Sequence, residues 1–409
     1  MDGKTITGLD IGTTKVCAVI VKEDSFGNLN VVGVGSSKSD GLRKGVVVNI
    51  DKTVQSISQA MNEAQQMAGI EVKSVFVGIA GDHIRGMNSK GMVGVASDDH
   101  EIKQSDIERA INAAKALALP IDREIIHVIP QEFIVDNQEG IRDPVGMSGV
   151  RLEVEVHIVT AAVTSAQNII RSVQRAGYAV EEIILEPLAS SLAVLDDDER
   201  NLGVSLIDLG GGTTDIAIFF DGHIRHTAVV ALGGQQITND IAIGLRTPPD
   251  QAEKIKLNWG MVDSSNVNPN EQLSVPGVGG RPSRTIYRNV LVDIITPRVE
   301  EILTLVYQKM EESDMMDLMA AGAVITGGGA LLSRMTEFAE NLWGLPVKLG
   351  VPKYLGGLMD TVRSPIFSTA VGLCLYGSKY HDGESDYGGD GNLWEEVLKS
   401  LKRIFKRFF

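Results

Sequence analysis

The sequence predicts an α/β fold of two related lobes, with an inserted α+β subdomain and a closing amphipathic helix. Three observations lead there. A strand, an aspartate, a glycine/threonine loop and a second strand open the chain (TGLDIGTTKVCAVI) and return half a chain later as SLIDLGGGTTDIAIFF. Self-similarity of that kind marks a repeated unit. Between the copies, residues 82–165 carry a helix signature and alternating strands, enough for a module of their own. The final stretch, NLWEEVLKSLKRIFKRFF (392–409), separates apolar from charged positions at helical spacing.

The chain has 409 residues, 43% hydrophobic and 22% charged. That composition is globular, and the length suggests about two to four domains. A net charge of −15 argues against broad phosphate-backbone binding, so nucleic acid is not expected as a partner. Cys17 and Cys374 lie far apart and outside any Cys/His cluster, which argues against disulfides and zinc and fits a reducing cytosol. The opening Met1-Asp2-Gly3-Lys4 has no charged-then-apolar leader, and no run of about 18 apolar residues predicts a membrane span.

In chain order, a strand over 5–9 runs through Asp10-Ile11-Gly12-Thr13-Thr14-Lys15 into a strand over 16–22. A helix is expected over 54–68, closed by Gly69, then a strand over 75–79. In the module, Ser105-Asp106-Ile107-Glu108 reads as a capping box that starts a helix running to about Leu119. Leu152-Glu153-Val154-Glu155-Val156-His157-Ile158 alternates, so one face of that strand is expected to be wet. A helix over 165–176 ends at Gly177. In the second copy Asp208-Leu209-Gly210 matches Asp10-Ile11-Gly12, with Thr213-Thr214-Asp215 two residues later than strict register. Helices follow near 250–259 and, punctuated by proline, over 289–312. Ala323-Val324-Ile325 leads into Thr326-Gly327-Gly328-Gly329-Ala330 and a helix over 333–343, and a small-residue helix over 368–375 ends the globular part. Residues 380–391 (YHDGESDYGGDG) hold four acids and four glycines without Lys or Arg, which marks a linker.

The glycine loops suit phosphate. Backbone N–H groups must approach closely, and glycine removes the side chains that obstruct them. Threonine hydroxyls add donors, Lys15 adds a point charge, and Asp10 and Asp208 stand at strand ends where a carboxylate can hold hydrated Mg²⁺. The Gly327–Gly329 loop, read between a strand and a helix, offers an anion or ring-edge site. Each loop alone is weak; the ordered set makes a nucleotide clamp between two lobes.

In that order the loops resemble the phosphate-1, phosphate-2 and adenosine motifs of the actin/Hsp70/sugar-kinase superfamily. Glu186-Pro187-Leu188-Ala189-Ser190-Ser191 and residues 365–373 resemble its two connecting helices. HVIPQEF (127–133), PVGMSGVRLEVEVHIVT (144–160), ALGG (231–234), VGGRPSR (278–284) and the amphipathic tail resemble the FtsA family of bacterial cell-division proteins, along the whole chain.

The resemblance implies an actin-like fold with duplicated RNase H-like lobes. Lobe one would comprise 1–81, 166–200 and 355–379, with an interaction subdomain inserted at 82–165. Lobe two would comprise 201–235 and 313–354, with an outer partner-binding subdomain at 236–312. A linker at 380–391 and a membrane helix at 392–409 would follow. The resemblance also implies ATP and Mg²⁺ in the cleft. Gly12, Thr13, Thr14 and Lys15 would meet the β/γ-phosphates, and Gly210, Gly211, Gly212, Thr213 and Thr214 would clamp their other side. Gly327, Gly328 and Gly329 would face the adenosine. Asp10, Asp208 and Asp215 would surround the metal, mostly through water. Glu253 and Lys256 would look toward ribose and adenine, with an exposed helix ion pair as the equal alternative for Lys256. Asp208, Asp215 and Glu186 are the acids available to orient a water against the γ-phosphate, although Glu186 serves equally well as a hinge residue. No histidine falls in the loops. At most weak ATPase activity is implied, with the nucleotide chiefly a structural and conformational ligand. A metabolite kinase of the same superfold is the competing reading, but it needs a base beside a substrate hydroxyl and has no use for a basic amphipathic tail.

In that tail Trp394, Val397, Leu398, Leu401, Ile404, Phe405 and Phe408 share one face, while five bases, Lys402 and Arg403 among them, stand with Glu395 and Glu396 on the other. Such a helix, about 22 Å long, is too short for a membrane core of about 30 Å. It is expected to lie in the interface of an anionic membrane. Arg281, Arg284, Arg288 and Arg298 cluster on an otherwise acidic chain. A solvated face is the default, and a dock for an acidic peptide the alternative; the resemblance makes that peptide the C-terminal tail of tubulin-like FtsZ. It further implies head-to-tail filaments, other divisome partners, and a peripheral place on the cytoplasmic side of the inner membrane at the septum.

Overall fold

The computed structural model describes residues 3–116, 119–263, 265 and 267–381. Its architecture follows from two sheets built on one plan. In the first lobe a six-stranded sheet has the order Ala179–Leu185, Ser74–Ile79, Thr5–Ile11, Lys15–Glu23, Leu29–Lys38, Gly356–Gly357. Thr5–Ile11 pairs antiparallel with Lys15–Glu23, which pairs antiparallel with Leu29–Lys38; on its other side it is parallel to Ser74–Ile79, itself parallel to Ala179–Leu185. In the second lobe Val204–Leu209 pairs antiparallel with Thr214–Phe220, and that strand with His223–Val230. Val204–Leu209 is parallel to Ala323–Thr326, which is parallel to Val347–Leu349. Both sheets are thus a meander followed by parallel strands. The central strands are near-continuous apolar runs because both faces are covered.

Two helices join the lobes, Glu186–Val194 and Ser368–His381. The closing helix runs six residues beyond the expected 375, because Tyr376 stays buried and its hydroxyl donates to Glu182 at 2.9 Å. The first long helix starts at Ile50 rather than 54, since the Asn49 side chain caps it by accepting from the Lys52 N–H at 3.0 Å. Gly69 closes it at φ 64°. The segment 382–409, which holds most of the expected linker and all of the amphipathic tail, lies outside the described residues. Among the described residues no helix is long and apolar enough to cross a membrane.

The insertion is a four-stranded antiparallel sheet, Arg85–Gly94, Arg151–Ala162, Arg123–Val135, Gln138–Ile141, backed by helix Gln104–Lys115. Ile107, Ile111, Phe133, Leu152, Val154 and Ile158 form its own core. The helix begins earlier than the Ser105 box predicts: Asp106 reaches back to the Lys103 N–H at 2.9 Å, so the capping register shifts by two residues. It also ends at Lys115, short of Leu119. The alternation in 152–158 holds to Val156 and then fails, with His157 buried, because the second lobe covers that end of the sheet. There His157 contacts Asn88 Oδ1 (2.6 Å) and Thr227 Oγ1 (2.9 Å), and Gln131 donates to Ile224 O (3.0 Å).

Candidate functional site

The two acid-bearing hairpins face each other. The first turn is closed by Gly12 N–H donating to Lys15 O, the second by Gly210 N–H donating to Thr213 O, both at 3.0 Å. The repeat is therefore in strict register, with Thr13 equivalent to Gly211, Thr14 to Gly212 and Lys15 to Thr213. This corrects the two-residue offset read from the sequence, which aligned by residue type where the fold aligns by turn length. The glycines follow from the facing. A Cβ on Gly211 would lie 2.5 Å from Thr14 Cγ2, and one on Gly212 2.6 Å from Thr13 Oγ1. The ALGG segment braces the second loop: Gly234 and Gln235 N–H, opening helix Gly234–Gly244, donate to Gly210 O (2.9 Å) and Gly211 O (2.8 Å).

Four carboxyls converge below the loops. Asp10 and Asp208 end equivalent strands, Asp215 pairs with Asp208 across the second hairpin, and Glu186 opens the first connecting helix. Burial pushes Asp10 up to about 7, with Lys15 opposing and Asp208 adding. Burial also lifts Asp215 to about 7, reinforced by Asp208 and opposed by the hydrogen bond from the Thr213 hydroxyl. Glu186 is raised well above the carboxylate range by burial, then by Asp10, Asp215 and Asp208. Asp208 is raised by burial but held down by the hydroxyls of Ser190 and Thr369.

The cluster fits a divalent cation. Burial and mutual repulsion disfavour the ionised forms of its carboxyls, which a cation would relieve, and the buried Oδ1 of Asp215 lacks a hydrogen-bond partner. Among the described residues no three such side chains come close enough together to grip an ion directly, so an ion held there would need water to complete its shell. Asp215 also lines a cavity of about 480 Å³ shared with Arg85, Pro187, Thr227 and Lys309.

The third loop divides its glycines. Gly327 has φ 84°, and a Cβ there would meet Asp208 Oδ1 at 2.4 Å; one on Gly329 would meet Leu209 Cδ2 at 1.7 Å. Only Gly328 keeps an open face, its nearest neighbour being Ile366 at 3.7 Å. A 3-10 turn, Gly328–Leu331, follows, and the helix Met335–Trp343 begins only after Arg334 at φ 67°. The expected strand–glycine–helix junction is corrected accordingly: the helix N-terminus does not sit on the glycines.

Lys15 lies 4.0 Å from the Phe367 ring and donates to Ile366 O at 3.4 Å, which ties the first loop to the second connector. Lys256 pairs with Glu253 at 2.8 Å, but it is largely buried and also donates to Gly234 O (3.0 Å) and Thr238 Oγ1 (2.8 Å). It is a tether under the helix that braces the second loop, not the exposed pair considered above. Arg288 pairs with Glu271 (2.9 Å) and Arg298 with Asp240 (2.5 Å); Arg284 and Arg281 are both exposed, Arg284 donating to Leu245 O (2.6 Å). Sequence reasoning missed Ser190 and Thr369. Both lie in the connector stretches, but nothing in their spacing announces a shared carboxylate.

A family model described as the cell division protein FtsA matches residues 205–372, and one for the SHS2 domain inserted in FtsA matches 81–160. The chain is 51% identical to a cell division protein FtsA of Pseudomonas aeruginosa over 407 residues, 98% of this chain and 97% of the relative. To that of Escherichia coli it is 40% identical over 413 residues, covering 99% and 97%. Its fold is similar to a chain of the PilM–PilN type IV pilus biogenesis complex (TM-score 0.68, 17% identity, 91% and 98% covered). It is also similar to MreB5 of Spiroplasma citri bound to ADP (0.51, 15%, 91% and 96%) and bound to AMPPNP (0.52, 15%, 99% and 99%). The fold is thus actin-like, and with relatives matched over nearly their full length the chain belongs to the FtsA family of cell-division proteins.

Proposed function

We propose that this chain is an ATP-binding adaptor that attaches FtsZ filaments to the cytoplasmic membrane at the septum and helps assemble the divisome. The observation that carries the nucleotide part is the pair of facing acid-bearing loops in strict register, over buried carboxyls that include an unpartnered oxygen. Solved neighbours of the same fold bind ADP and AMPPNP. Gly12, Thr13, Thr14 and Lys15 would serve one side of the phosphates, and Gly210, Gly211, Gly212, Thr213 and Thr214 the other. Gly328 would lie nearest the adenosine. Asp10, Asp208 and Asp215 would hold Mg²⁺ mainly through water, the ion supplying the positive charge that both phosphates and carboxylates lack. Asp208, Asp215 and Glu186 are the residues available to orient a water, and turnover is slow in this reading.

The attachment part rests on the composition of 392–409. A helix with bases on one side and tryptophan, leucine and phenylalanine on the other binds an anionic interface reversibly. Head-to-tail assembly then strengthens attachment through multivalency. Contacts with FtsZ would fall in 236–312, where Arg281 is the most available of the four arginines. Calorimetry tests the first part: Asp208→Ala is expected to weaken Mg-ATP binding, and unchanged affinity would remove the site. Flotation with anionic liposomes tests the second. Trp394→Ser with Phe405→Glu is expected to stay at the bottom of the gradient with ATP binding intact, and co-flotation equal to the parent would remove the anchor.

A further inference from the structure

We infer that Ser190 and Thr369 are positioning residues for the nucleotide-bound metal, through which the two helices joining the lobes fix its carboxylate; this rests on the nucleotide reading above. Ser190 belongs to the first connecting helix and Thr369 is the second residue of the closing helix. Ser190 Oγ donates to Asp208 Oδ2 at 2.9 Å, and Thr369 Oγ1 reaches the same oxygen at 3.3 Å. The two hydroxyls are 3.0 Å apart. Each has one proton, so Thr369 divides its own between Asp208 and Ser190. Both act on one oxygen, while Gly327 abuts the other. All of these groups are buried.

What makes the clasp informative is where its parts are anchored. The helices cross backbone to backbone: a Cβ on Gly372 would lie 1.9 Å from Ala189 O. Beyond the crossing the closing helix packs on the first lobe, through Cys374 donating to Val19 O at 3.3 Å and Tyr376 to Glu182. Its first two residues hold the second lobe instead, with Ser368 Oγ 2.7 Å from Thr326 Oγ1 and Thr369 on Asp208. A change in the angle between lobes must shear this crossing. Hydroxyl bonds at 2.9 and 3.3 Å have little slack before they cease to be bonds. The geometry of Asp208 and the relative position of the lobes are therefore one variable.

Groups that orient a metal-binding side chain typically change metal affinity about 10–100-fold when removed. The test is calorimetric titration of ATP in Mg²⁺ and in EDTA for the parent, Thr369→Val, Thr369→Ser and the Ser190→Ala/Thr369→Val pair. Thr369→Val keeps the shape of the side chain and leaves the stronger Ser190 bond, so it retains the fold, which far-UV circular dichroism verifies. We expect Mg-ATP affinity to fall about tenfold in Thr369→Val and further in the pair. Affinity in EDTA should stay within about twofold, and Thr369→Ser should recover the parent. Hydrogen exchange adds a second readout: Mg-ATP should slow exchange at 369–376 in the parent and much less in Thr369→Val. An unchanged Mg²⁺ enhancement in Thr369→Val, or an equal loss in EDTA, overturns the inference while leaving the nucleotide site standing. No ATP binding by the parent in either buffer overturns the nucleotide reading and this inference with it.

Discussion

The hairpins at Gly12–Lys15 and Gly210–Thr213 share one turn and differ in what fills it. The first carries threonines at its two central positions and the second carries glycines. Because the repeated loops face each other, the space at the middle of one is the space at the middle of the other, and only one of them can hold side chains. Duplication sets the plan, and the facing forbids the copies from staying identical. The outer strands of the two meanders diverge for a related reason. Leu29–Lys38 is covered by helix Ile50–Ala68, which approaches closely over Gly33 and Gly35; His223–Val230 is covered by the inserted subdomain through buried polar contacts.

The largest effect should come from forcing the two loops alike. Gly211→Val puts a branched side chain where even a Cβ is 2.5 Å from Thr14. It is expected to cost about 2–3 kcal/mol in thermal or denaturant unfolding and to weaken Mg-ATP binding by at least about tenfold. Thr14→Gly in the same chain should recover much of the lost stability, and failure of that rescue would separate the two loops. Next comes the third loop. Gly327→Ala combines φ 84° with a close approach to Asp208 and should cost about 1–3 kcal/mol, whereas Gly328→Ala should stay within about 0.5 kcal/mol and show itself only in nucleotide affinity.

The outer strands are separated by pH. Burial, with a smaller push from His226, depresses His157 to about 3. It is neutral in the fold, and the unfolded chain takes up the proton below its ordinary value of 6.5. The unfolded state therefore binds more protons between those two values, and stability falls as pH falls through that window. The loss is on the order of 2 kcal/mol at pH 5. His157→Gln should start less stable at pH 8 and flatten that slope, as urea midpoints across pH would show; an unchanged slope would locate the acid sensitivity elsewhere. A smaller effect than that of Gly327→Ala is expected at the helix that braces the second loop. Lys256→Met removes the donors to Gly234 O and Thr238 and should cost about 1 kcal/mol, with a modest loss of Mg-ATP affinity.

The sequence by itself determined the α/β class, the duplication, the inserted module and which acids stand in the candidate site. Those features are local: apolar runs of strand length, glycines where a turn needs them, carboxylates at strand ends. It also placed most helices to within a few residues, erring where a cap such as Asn49 or Lys103 extended a start, or where packing at Tyr376 prolonged an end. Other features became visible only in the tertiary structure. Among them are the strict register of the loops, the division of labour among Gly327, Gly328 and Gly329, the burial of His157 where the second lobe covers its face of the strand, and the burial of Lys256. Ser190 and Thr369 lie 179 positions apart and meet on Asp208 only because two helices cross there. Spacing along a chain reports which residues share a turn or a face. Which side chain shares a buried oxygen with another is decided by how separate elements pack, and a single sequence carries no periodicity for that.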